Sequence, residues 1–113
     1  MIYSEARIES DYLNFSSQMA VALLEGSKSP EALSRVDSLQ SDLSDIADHA
    51  FQFPQLFTEQ RTQEIYDLLE KAGEYLRGSE YEKTALERPA KFRQRVSVSF
   101  EAVTAIRRLD RAA

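Results

Sequence analysis

Apolar residues recur at three- and four-residue spacing along nearly the whole chain, and that period restricts it to α-helices joined by short turns. The interruptions are few: three glycines and three prolines in 113 residues. Gly26 and Gly78 fall where a helix would end in a left-handed residue, and Pro30 and Pro89 fall where a first helical turn tolerates a missing N–H. A chain of this length holds one ordinary domain, so residues 1–113 are read as a single helical domain.

Ile8, Tyr12, Phe15, Met19, Ala22 and Leu23 form one stripe of a helix from about residue 4 to 25. A second, narrower line of Ala6, Leu13, Ala20 and Leu24 lies well round from the first. It predicts a helix with neighbours on two sides, inside the fold or in a dimer, and hence the central helix. The second helix has the clearest start, with Ser29 as N-cap, Pro30 at the first position and Glu31 in the first turn. Its buried face is Leu33, Val36, Leu39, Leu43, Ile46 and Ala50, ending near residue 50 because Phe53 precedes Pro54.

Thr58 caps a third helix to about Arg77, with Ile65, Leu68, Leu69, Ala72, Tyr75 and Leu76 inward. Ser79 and Glu82 have capping-box spacing and predict a short helix around Tyr81 and Leu86, stopped by Pro89. A last helix, about 90–110, carries Phe92, Val96, Phe100, Val103, Ile106 and Leu109. The middle of it, RVSVSF, also alternates like a strand, but a solitary strand has nothing to pair with. The expected fold class is therefore all-α, a small helical bundle of four main helices plus one short helix.

The equipment for catalysis is sparse. There is no cysteine, no glycine-rich phosphate loop and a single histidine, and no cofactor is expected. Asp42, Asp45 and His49 stand at i, i+3 and i+7 and could face one way as a metal site would require. On a helical wheel they lie opposite Leu43, so the reading preferred is a polar helix face with no metal. A non-enzymatic role is expected. The absence of cysteine suits a reducing, cytoplasmic location, and the start MIYSEARIES has acids where a secretory leader needs positive charge. The longest apolar run, residues 19–24, is too short for a membrane span.

Charge is divided unevenly. The net charge of −5 is the sum of −10 over residues 1–87 and +5 over residues 88–113. Asp37, Asp42, Asp45 and Asp48 occupy one arc of the second helix with Ser34, Ser38 and Ser41 and without lysine. Such an arc either keeps a small domain soluble or docks into a basic groove on another protein, with charge speeding the encounter. Arg93, Arg107, Arg108 and Arg111 flank one side of the last helix's apolar stripe, with Lys91 and Arg95 on the other. They either meet acids of neighbouring helices or form a nucleic-acid surface, which the overall negative charge disfavours.

The stretch AFQFPQLF, residues 50–57, concentrates apolar surface in a connection. Phe51, Phe53, Leu56 and Phe57 either plug one end of the bundle or form an exposed patch beside the acidic arc. The expectation drawn from these parts is a protein-binding module, an inhibitor, adaptor or escort chaperone, acting through the acidic arc and Phe51, Phe53 and Phe57. Small acidic helical proteins of this kind include phage-encoded inhibitors that occlude nucleic-acid-binding machinery. The alternatives are a nucleic-acid-binding module using the four arginines, or a homo-oligomeric structural component.

Overall fold

Caps and left-handed glycines set the element ends. In the computed structural model, which describes residues 4–49, 53–56 and 58–96, helix α1 covers Glu5–Glu25, with the Ser4 hydroxyl accepting from the Arg7 N–H at 3.1 Å and Gly26 closing it at φ +68°. Helix α2 covers Pro30–Asp45, capped by the Ser29 hydroxyl on the Ala32 N–H at 3.2 Å. It tightens into a 3-10 turn at Ile46–His49, so the α-helical part stops short of the expected residue 50. A second 3-10 turn, Pro54–Leu56, leads to Thr58, which caps α3 (Glu59–Tyr75) through the Arg61 N–H at 3.2 Å. Among the described residues there is no strand, and the fold is a small all-α bundle.

The fourth helix, α4, spans 82–96 of the described residues without a break. The short helix expected before Pro89 and the described part, to residue 96, of the helix expected after it are one element here; Phe100, Val103, Ile106 and Leu109 of that expected helix lie outside the described residues. Ser79 and Glu82 do organise its start, displaced by one residue from a capping box: the Glu82 carboxylate accepts from the Gly78 N–H at 3.3 Å, and the Ser79 hydroxyl accepts from the Tyr81 N–H at 3.2 Å. Gly78, at φ +81°, makes the turn.

A proline seven residues inside a helix leaves the carbonyl four positions earlier, that of Ala85, without its N–H donor. Gln40 supplies the missing hydrogen bond. Its side-chain amide, fully buried, donates to the Ala85 carbonyl at 2.8 Å and to the Leu69 carbonyl at 2.9 Å, joining α2, α3 and α4 at one point. The Gln40 carbonyl oxygen accepts from Arg88 at 2.9 Å, and Arg88 also reaches the Asp37 carboxylate and backbone carbonyl. Gly73 lets α4 come close, since a Cβ there would stand 3.1 Å from the same Ala85 oxygen.

Pairings fix the helix directions. Four connecting residues after Glu25 force α1 and α2 antiparallel. Arg61 pairs with Glu9 and Glu64 with Tyr12, which runs α3 parallel to α1. Gly73 faces Ala85 while Arg93 lies over the Tyr66 ring, which runs α4 antiparallel to α3. Met19, Val36, Leu43, Ile65, Leu69, Leu76 and Phe92 fill the core. Helix α1 is not central: its first stripe is buried at Ile8, Tyr12 and Met19 and half-buried at Phe15, Ala22 and Leu23, but Ala6, Leu13, Ala20 and Leu24 all face solvent.

Candidate partner-binding surfaces

Three of the expected features converge at the end of the bundle where α1 begins and α2 finishes. Asp42 and Asp45 are exposed on α2, and with His49 they line a cleft of about 160 Å3 whose opposite wall is Arg7, Asp11 and Phe15 of α1. The wheel placed these side chains toward solvent, and they are accessible, but they also look across at a second helix. Arg7 bridges Asp11 at 3.2 Å, one turn away on the same helix. Three carboxylates thus share the cleft with one guanidinium and one imidazole. Partial burial, and then the neighbouring charges of Asp45 and Asp11, push the Asp42 carboxyl above its ordinary value.

Asp37 does not belong to this group. It is engaged by Arg88 of α4 through both its carboxylate and its backbone carbonyl, with side chains only 22% and 16% exposed. It serves the α2–α4 junction, and the pairing shows one place where the acidic and basic parts of the chain neutralise each other. The side chain of Asp48 lies outside the described residues, as do Phe51 and Phe57.

Phe53 and Leu56 answer part of the question raised by the aromatic connection. Both are half-buried and packed against the core. Backbone hydrogen bonds secure the segment, from the Phe53 N–H to the His49 carbonyl at 3.2 Å and from the Leu56 N–H to the Phe53 carbonyl at 3.0 Å. Arg61 then ties it to the bundle. Its guanidinium donates to the Leu56 carbonyl at 3.0 Å, takes both oxygens of Glu9 and stacks 4.4 Å from the centre of the Tyr12 ring. The hydrogen bond from Arg61 holds Glu9 below the usual carboxylate range. Burial, and then the Glu64 carboxylate that accepts from the Tyr12 hydroxyl at 2.9 Å, push the Tyr12 phenol up.

Of the basic residues flanking the last apolar stripe, Arg93 lies 5.6 Å from the centre of the Tyr66 ring and Lys91 pairs with Glu87 at 3.5 Å on its own helix. Phe92 and Val96 are buried as expected. Arg107, Arg108 and Arg111 lie outside the described residues.

Sequence reasoning missed Arg61, Arg88, Gln40 and Asp11. A glutamine at helical spacing between Val36 and Leu43 was a signal for a buried polar contact, because that position faces inward. Nothing local pointed to its partners, which lie 29 and 45 residues further on.

Among the described residues, no group of three or more carboxylate, histidine or cysteine side chains is placed to hold a metal ion, the Asp42, Asp45 and His49 set included. No described helix is long and apolar enough to cross a membrane. No protein-family model, curated protein or solved structure matches the chain.

Proposed function

We propose that this chain is a non-enzymatic protein-binding module, an inhibitor, adaptor or escort chaperone, that engages a basic surface of another protein through the α1–α2 end of its bundle. The observation that carries the reading is the meeting of Asp11, Asp42 and Asp45 in one accessible cleft, where partial burial first, and then the neighbouring carboxylates, raise the Asp42 carboxyl. An arriving lysine or arginine relieves repulsion there, so the site favours cations on approach and on contact. Asp42 and Asp45 do the steering. Asp37 is occupied by Arg88, and Phe53 serves as part of the bundle floor in this reading.

Capture from native lysate with a tagged chain tests it, run with and without nuclease and across a salt series. A stoichiometric protein that survives nuclease, is lost progressively with salt and is weakened by Asp42→Asn/Asp45→Asn supports the reading. Capture indifferent to the double substitution at every salt concentration overturns it. Recovery that vanishes with nuclease would favour the alternative, nucleic acid bound by the basic last helix; that reading has less support, because the chain as a whole is net negative.

A further inference from the structure

The outer face of α1 carries no charged residue of its own, in a strongly charged chain. Ala6, Ser10, Leu13, Ser17, Ala20 and Leu24 run down it, with Asn14 and Val21 alongside, and all eight are exposed. Leu24 is 90% exposed, Leu13 54% and Val21 51%. At 100° per residue they cover an arc of about 120° and a length of about 27 Å. Charged residues make up 29% of the chain, yet none falls in this arc. A face that only meets water has no reason to exclude lysine and glutamate over five turns.

We infer that this face is a self-association surface, on which a second copy of the chain packs its own α1 antiparallel about a two-fold axis level with residue 15. The positions 6, 10, 13, 17, 20 and 24 alternate steps of four and three, the spacing of a coiled-coil seam. Turned antiparallel about that axis, the seam is complementary to itself: Leu24 meets Ala6, Leu13 meets Ser17 and Ala20 meets Ser10. Every leucine finds a small residue. A parallel pair would set Leu13 on Leu13 and Leu24 on Leu24, with gaps at the serines between them, so the alternation of sizes selects the antiparallel form.

Charge complementarity points the same way. Arg7 and Glu25 lie on one flank of the seam near its two ends, and the antiparallel arrangement brings Arg7 of one copy within about two residues' rise, roughly 3 Å along the axis, of Glu25 of the other. The contact occurs twice by symmetry. No acid of one α1 is set level with an acid on the same flank of the other. An interface one helix wide is small, so the association is reversible and depends on concentration. It does not rest on Asp42 or Asp45, although Arg7, bridged to Asp11, also borders the acidic cleft.

Analytical ultracentrifugation of the full chain from low micromolar to near-millimolar concentration tests the inference. The expected mass rises from 12.9 kDa toward twice that value. Leu13→Glu/Leu24→Glu, at exposed positions and with unchanged circular dichroism, raises the dissociation constant at least tenfold, while Asp42→Asn/Asp45→Asn leaves it unchanged. Since the chain has no cysteine, orientation is read by mixing singly substituted Ser10→Cys and Ala20→Cys chains under mild oxidation. A disulfide between the two variants, formed faster than either forms with itself, is expected. A mass that stays at 12.9 kDa throughout, a dimer indifferent to the glutamates, or preferential Ser10→Cys self-coupling would overturn the inference.

Discussion

The side-chain amide of Gln40 donates to the carbonyl of Ala85 at 2.8 Å, taking the place of the N–H that Pro89 lacks. A buried carbonyl with no donor costs free energy of the order of a lost hydrogen bond, so the proline inside α4 depends on the glutamine inside α2. Helix α4 can therefore run through a residue that ordinarily ends one.

Gln40→Met keeps the volume and removes the donor, and should cost about 2–4 kcal/mol because the Ala85 carbonyl is orphaned and Arg88 loses an acceptor. Adding Pro89→Ala gives that carbonyl a helical N–H. Urea denaturation of both single variants and the double variant should show a coupling energy of at least about 1 kcal/mol in favour of the pair. Strict additivity would mean that the two residues do not share the carbonyl.

Gly73→Ala should lower stability by about 1–2 kcal/mol, despite the roughly 1 kcal/mol by which alanine is favoured over glycine in a helix. The new methyl would stand 3.1 Å from the Ala85 oxygen, a backbone atom already fixed by Gln40. A rise in the midpoint of unfolding would show that α4 can move away at little cost.

Glu9 and Arg61 predict an acid limb of stability. Glu9 titrates below its ordinary value in the fold, so its contribution is complete above the usual carboxylate range and disappears as pH falls through the depressed value. Arg61→Gln should cost no more than about 1–2 kcal/mol at neutral pH, since the pair is partly exposed and screened, and less at low pH, where Glu9 is protonated. Thermal unfolding against pH would detect this, and parallel curves for the two proteins would exclude it.

Asp42 has the opposite sign. Its carboxyl titrates above the ordinary value, so its ionised form weakens the fold at neutral pH, and stability is recovered as pH falls through the raised value. Asp42→Asn should raise stability at neutral pH by no more than about 0.5 kcal/mol, and the gain should vanish in acid. Coupled with weaker partner capture, that outcome marks a residue kept for binding at a small cost to folding. Loss of stability at neutral pH would instead give Asp42 a structural role.

The readable features were local. Ser29 with Pro30, Thr58 and Gly26 mark helix ends because capping is decided within four residues, and all three appear where expected. The inward stripes of α1, α2 and α3 could be read because one face of a helix is set by its 3.6-residue period alone. Asp42 and Asp45 were placed on an accessible face for the same reason. Their meeting with Asp11 was not legible, since it depends on how α1 lies against α2.

By itself, then, the sequence determined an all-α chain, where most of its helices begin and end, and which face of each is apolar, because periodicity and capping act over one or two turns. Tertiary structure decided the rest. It let a helix continue through Pro89 by supplying Gln40 from another helix, took Asp37 out of the acidic arc by pairing it with Arg88, and left the second stripe of α1 uncovered. Each of these depends on groups tens of residues apart or on neighbours that no local pattern specifies, and only the packed bundle brings them together or keeps them apart.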